Sequence, residues 1–227
     1  MVQKVEEEMD QLRKETLEMW KLVYNQMQQA GEAVLTLNKD LARQVLIRER
    51  RVNAFELKID RDVEDVVALY NPVAVQLRFT LATMKINSNL ERIGDFADGM
   101  AHFVVDFKGP ALDPELVRKL QLNEMISQVQ LMLQTLFDAL DKERVELALD
   151  VFEMDKLVDE INHNSIPRLR EYILENPENN AMDALQLAGI FRKLERVGDH
   201  CTNLAEEIVF YLDAKVLKHQ GKATIEK

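Results

Sequence analysis

Leu90-Glu91-Arg92-Ile93-Gly94-Asp95 returns 104 residues later as Leu194-Glu195-Arg196-Val197-Gly198-Asp199, with one conservative change. Both copies lie deep inside long runs whose apolar residues recur at three and four, the helical period. The chain is therefore an internal duplication. In each copy a glutamate and an aspartate stand four apart, which puts both carboxylates on one helix face, one turn from each other. Stacked carboxylates repel unless a positive charge lies between them. Two such pairs, one per half, can converge on hard cations, which prefer oxygen ligands.

Helical punctuation divides the rest of the chain around these copies. A first segment from about Val2 to Leu35 carries Met9, Leu12, Thr16, Met19, Val23 and Met27 along one stripe. A second follows Asn38-Lys39-Asp40 and ends at Asn71-Pro72. The third, opened by that proline, runs to about Phe107. Gly109-Pro110 and Asp113-Pro114 form the clearest boundary, with Asp113 as an N-cap and Pro114 as the first helical residue. A fourth helix is expected to about Leu140 and a fifth over about Glu143 to Glu175, kinked at Pro167. The sixth covers about Asn180 to Leu217. Second and fifth also align: Leu41, Val45, Val52, Phe55 and Val63 meet Leu147, Val151, Val158, Ile161 and Leu169. The expectation is an all-α protein of six long helices forming two pseudo-symmetric three-helix bundles. Residues 1–108 would form the first repeat, 113–217 the second and 218–227 a frayed tail.

Composition agrees and sets limits. Gly and Pro number only 7 and 5, and 47% of residues are apolar, enough for a sizeable core. A net charge of −11 argues against nucleic acid, whose phosphates need a basic surface. One cysteine, Cys201, excludes an intramolecular disulfide and fits a reducing compartment. The N-terminus is charged, and no apolar run approaches the roughly 20 residues of a membrane span. The expectation is a cytoplasmic protein without direct membrane insertion.

The repeated hexapeptide, with the continuation Asp199-His200-Cys201-Thr202-Asn203-Leu204-Ala205-Glu206 and the aromatics Phe210-Tyr211, resembles the PhoU family of phosphate-specific transport accessory proteins. The family's other acidic motif falls at Glu49-x-x-x-Asn53 and Asp155-x-x-x-Asp159. The resemblance implies two three-helix bundles, usually as a homodimer. It implies a regulator of phosphate uptake and a negative regulator of the phosphate-starvation response. Such a protein is an adaptor between the ATPase of a phosphate ABC transporter and a membrane sensor histidine kinase. A related branch accompanies low-affinity phosphate transporters. The resemblance also implies multinuclear clusters of iron or zinc on the acidic motifs; manganese or magnesium would suit the same donors.

The metal candidates are thus Glu91, Asp95, Glu195 and Asp199, then Asp155 and Asp159, then Glu49, Asn53 and Asp98. Asn53 supplies one charge fewer, so the first half is expected to hold metal more weakly or in fewer ions. The bland alternative is that these acids pair with Arg92, Arg196 or other cations, or face water. Gly94 and Gly198 cost about 1 kcal/mol each relative to alanine in mid-helix, and their recurrence points to close approach by a neighbouring helix. His102 shares a face with Glu91, Asp95 and Asp98. His163 and His200 read as ordinary packing or surface residues, and Cys201 as core. The helices lack a second Glu-x-x-His to match Glu160–His163, so a ferritin-like oxidase centre is poorly supported. No Ser-His-Asp order or Gly-rich phosphate loop appears. The protein is read as a non-enzyme, with a carboxylate-site metalloenzyme as the alternative.

Overall fold

The computed structural model describes residues 2–109 and 111–217, and among these the regular structure is entirely helical. The helices are α1 (Val2–Thr36), α2 (Lys39–Tyr70), α3 (Val75–Asp106), α4 (Pro114–Leu120), α5 (Leu122–Asp141), α6 (Val145–Glu175) and α7 (Pro177–Asp213). The expected tail, 218–227, lies outside the described residues.

Seven helices replace the expected six among the described residues, because the fourth segment breaks at Gln121. That residue adopts left-handed geometry, φ 58°, between α4 and α5. The cause is a slip in apolar phase. Leu120 and Leu122 are both fully buried, whereas a continuous helix would set them about 200° apart. One left-handed residue lets both reach the core, and Arg168 of α6 donates to the freed carbonyl of Lys119 and to Gln121 Oε1.

Most of the punctuation falls where the residues dictate. The Asn38 side chain accepts from the amides of Asp40 and Leu41, capping α2. Asp113 accepts from those of Glu115 and Leu116, with Pro114 at the first turn of α4. Pro72 is a correction: α2 ends on left-handed Asn71, but α3 starts only at Val75, so the proline sits in the connection. Pro177, in contrast, is itself the first residue of α7. Helix α6 continues through Pro167, which is exposed.

α1, α2 and α3 each pack against the other two, and so do α5, α6 and α7. The halves meet where α3 crosses α7 and α1 meets α5. The α1–α5 contact buries Trp20 completely, its Nε1 donating to Leu133 O at 3.1 Å. Between α3 and α7, Phe79 meets Tyr211 and Lys85 pairs with the buried Glu207, while His200 bonds Asn89 Oδ1 at 2.8 Å. These pairings run in opposite chain directions, so α3 and α7 are antiparallel. The repeat is repeated in burial too. Ile86, Leu90, Ile93, Ala97 and Val104 match Ile190, Leu194, Val197, Cys201 and Ile208, all buried.

Candidate metal centre

Gly94 and Gly198 position the acids. Both are buried, and each lets a neighbouring helix lay a carboxylate directly over α3 or α7. A Cβ on Gly94 would lie 3.2 Å from Val52 Cγ1 and 3.4 Å from Glu49 Oε2 of α2. A Cβ on Gly198 would lie 2.7 Å from Asp155 Oδ1 and 3.2 Å from Val158 Cγ1 of α6. The helical cost of glycine thus brings Glu49 beside Glu91 and Asp95, and Asp155 onto α7 at Gly198, between Glu195 and Asp199 in the chain.

In the first half the result is a crowd of negative charge. Gln26 Nε2 of α1 donates to Glu49 Oε2 at 2.7 Å, while Glu49 Oε1 is buried without a hydrogen-bond partner. Burial raises the Glu49 pKa, the Gln26 bond opposes the rise, and Asp95 and Asp98 add to it. Glu91 is pushed up to about 7, first by burial, then by Asp95 and Glu56, against relief from Arg92. Asp98 is raised by burial, although His102 lies 3.5 Å away and opposes the shift. Asn53 is exposed, and its amide opposes the rise at Glu49.

The second half has fewer acids and more cations. Glu195 is raised by burial and then by Asp199, with Arg192 and Arg196 opposing the rise and Asp159 adding to it. Its Oε2 is also buried without a partner. Asp155 is 3% exposed, and Asp159 is exposed. Thr202, the counterpart of Asp98's turn, donates to Asp199 O and brings no charge.

Arginine pairing, the bland alternative, is partly realised. Arg92 Nη1 lies 3.1 Å from Asp95 Oδ2 and its Nε 3.6 Å from Glu91 Oε2. Arg196 Nη1 lies 2.7 Å from Asp199 Oδ2. The Arg92–Asp95 and Arg196–Asp199 pairs are largely exposed and one turn apart, a geometry worth about 0–1 kcal/mol. They leave the inward oxygens of Glu49 and Glu195 unsatisfied. As the side chains stand, no group of three or more His, Cys, Asp or Glu among the described residues is arranged to hold a metal ion. The donor chemistry nonetheless fits a hard cation: oxygen atoms predominate, and two buried carboxylate oxygens lack any partner, a costly state for an acceptor inside a protein.

Two further members, Glu56 and Gln26, escaped the sequence reading. Glu56-x-x-x-Asp60 repeats the i, i+4 acid spacing, so its signal was visible in the chain. Glu56 is itself raised by burial and by Asp60. Asn87, fully buried on α3, donates to Asp60 Oδ1 at 2.8 Å and to Glu56 O at 2.9 Å. The charge deficit expected at Asn53 is therefore made good one turn further along α2. Gln26 carried no signal, since an amide on a helical stripe looks like any other polar residue. Of the residues set aside, His163 is exposed and Cys201 is buried. The half-buried His200 turns towards Phe96 and Asn89 of α3.

Comparison with known proteins follows the duplication. The PhoU domain family matches twice, over residues 16–104 and 122–208. The phosphate-specific transport system accessory protein PhoU homolog 1 of Thermotoga maritima is 30% identical over 216 residues, covering 94% of this chain and 90% of its own. The PhoU accessory protein of Escherichia coli is 28% identical over 222 residues, covering 97% and 90%. The crystal structure of PhoU from Pseudomonas aeruginosa superposes with a TM-score of 0.87 at 30% identity, covering 92% of this chain and 99% of that one. The family match takes in both halves and the fold is shared over nearly the whole length, and the chain belongs to the PhoU family.

Proposed function

We propose that the protein is a cytoplasmic regulator of phosphate uptake that represses the phosphate-starvation response when phosphate is plentiful. It works by binding, not by catalysis, as a metal-dependent adaptor between a phosphate ABC transporter ATPase and a sensor histidine kinase. The observation that carries this reading is the double family match, which spans both halves and takes in Glu91 and Asp95 in one and Glu195 and Asp199 in the other. The relatives are named as accessory proteins of the phosphate-specific transport system.

On this reading residues 1–108 and 113–217 are two pseudo-symmetric three-helix bundles, and the active form is a homodimer. Glu49, Glu56, Glu91, Asp95 and Asp98 would hold metal in the first bundle, and Asp155, Asp159, Glu195 and Asp199 in the second. Iron, zinc, manganese or magnesium, when bound, would supply positive charge that neutralises stacked carboxylates. The chain's own part is to hold α2 against α3, and α6 against α7, through carboxylates that otherwise repel. With those faces neutralised, the helices keep one arrangement for partners to recognise.

The test is a bacterium lacking its own PhoU, grown in high phosphate with alkaline phosphatase as reporter. The natural chain should lower phosphatase output. A folded variant with Glu91, Asp95, Glu195 and Asp199 changed to alanine should not. Full repression by that variant would remove metal from the account, and no repression by the natural chain would remove the regulator.

A further inference from the structure

We infer that the outer face of α2 is the docking surface for an acidic amphipathic helix of a protein partner. This inference rests on the adaptor reading above and locates one of its contacts. Arg43, Ile47, Arg50, Ala54, Leu57 and Arg61 follow one another at spacings of four and three, forming a single stripe along α2. All six are exposed, Ile47 at 71% and Leu57 at 66%. Among the described residues helix α2 packs only on α1 and α3, so this third side is open there. In a chain of net charge −11, the stripe concentrates arginine. Arg43 pairs with Asp40 at 2.7 Å, but Arg50 joins no ion pair among the described residues. Glu49, the acid within this arginine-rich stretch, turns inward over Gly94 and leaves the outer face basic.

The duplication supplies an internal control. Buried positions of α2 are matched in α6: Val45, Val52 and Val63 against Val151, Val158 and Leu169. The outer face is not. Where α2 has Ile47, Arg50, Ala54, Leu57 and Arg61, α6 has Glu153, Lys156, Glu160, His163 and Pro167. There Lys156 and Glu153 satisfy each other at 2.6 Å, an ordinary solvated helix face. The fold can thus be built without exposed Ile47 and Leu57, which are left to serve something outside the chain.

The chemistry of the stripe specifies the occupant. Ile47 and Leu57 stand about 15 Å apart along the axis at 1.5 Å per residue, with small Ala54 between them where another helix can come close. Arginine forks flank both anchors and take carboxylates in bidentate pairs. A helix with apolar residues two to three turns apart and glutamate or aspartate on either side meets both demands. A lipid surface fits less well. Interfacial helices segregate cations from apolar residues, whereas here Arg50 lies between the anchors and would be drawn into the acyl layer with them.

The probe is a designed 18-residue helix with leucines on one face and glutamates flanking them, labelled for fluorescence anisotropy. Its twin has every glutamate changed to lysine. The full chain should bind the acidic peptide and not the twin, more weakly as salt rises. Arg50→Glu/Arg61→Glu and Ile47→Ser/Leu57→Ser should each weaken binding at least tenfold with unchanged thermal unfolding. Lys156→Glu/His163→Ser on α6 should leave it unaltered. Failure to bind the peptide, or equal binding by all variants, would overturn the proposal. So would Arg50-dependent binding to phosphatidylglycerol vesicles in place of the peptide, or Arg50-dependent self-association, which would assign the face to a membrane or a second copy. In the phosphatase reporter the two α2 variants should fail to repress. If the natural chain represses and they do too, docking is wrong while the regulator stands. If the natural chain does not repress, the regulator reading fails and the peptide still decides the docking surface.

Discussion

Over Gly94 lies a glutamate held by an amide; over Gly198 lies a shorter side chain, an aspartate, pressed closer to the glycine. Glu49 reaches its place through a longer side chain, takes 2.7 Å support from Gln26 and leaves 3.4 Å to a would-be Cβ. Asp155 is shorter, yet the same Cβ would meet its Oδ1 at 2.7 Å, although the equivalent valines Val52 and Val158 both stand at 3.2 Å. The first half then adds Glu56 and Asp98 to its acids, whereas the second sets Arg192 and Arg196 against Glu195. One ancestral arrangement has thus diverged into a crowded, protonatable face and a tighter, better-compensated one. The difference teaches that packing and charge were free to vary separately while the glycine and its overlying carboxylate stayed.

Alanine at the two glycines gives the largest contrast. Gly198→Ala presses a Cβ onto a buried carboxylate, and overpacking of this kind costs about 1–3 kcal/mol. The gain in helix propensity, about 1 kcal/mol, offsets part of it, and a net loss remains. At Gly94 the nearest atoms, at 3.2 Å and 3.4 Å, need to give only slightly, so propensity and crowding nearly cancel. Urea unfolding of both variants measures the gap. A Gly94→Ala loss equal to or above that of Gly198→Ala would show that the halves are packed alike.

The helical course was legible because apolar residues recur at helical spacing and because caps such as Asn38 and Asp113 use local chemistry. The break at Gln121 was missed although Leu120 and Leu122 announced it, since two apolar residues two apart are easily absorbed into a long stripe. The acid pairs were legible from the duplication. Their surroundings were not: Gln26 comes from a helix 23 residues before Glu49, and nothing local links them. Glu56 and Asp60 had the right spacing but lacked an equivalent in the second repeat, where Asn162 and Ile166 stand.

Protonation sharpens the comparison at a smaller scale. Glu91 carries a folded-state pKa of about 7 against an ordinary 4.5, so the folded protein keeps a proton that the unfolded chain releases. Stability is full below about pH 4.5 and falls as pH rises through about 7. Glu91→Gln should flatten that decline in denaturant midpoints taken from pH 5 to 8. Glu195→Gln should flatten a lesser slope, since Arg192 and Arg196 already oppose the rise at that site. Equal slopes would contradict the greater crowding of the first half.

The arginine pairs should matter least. Arg92→Ala and Arg196→Ala each remove an exposed one-turn pair, and a change of about 0–1 kcal/mol is expected. Both should leave thermal unfolding within a few degrees of the natural chain at 0.15 M salt. A large loss from either would make arginine, not metal, the partner these carboxylates were placed to meet.

The most direct measurement is calorimetric titration of the metal-free chain with Mn²⁺ at pH 7.5. It would be set beside a variant carrying Glu91→Gln, Asp95→Asn, Glu195→Gln and Asp199→Asn, with helicity checked by circular dichroism. Saturable binding by the natural chain, lost in the equally helical variant, is the predicted result. No binding by the natural chain, or undiminished binding by the variant, would contradict the claim that the repeated acids form metal centres.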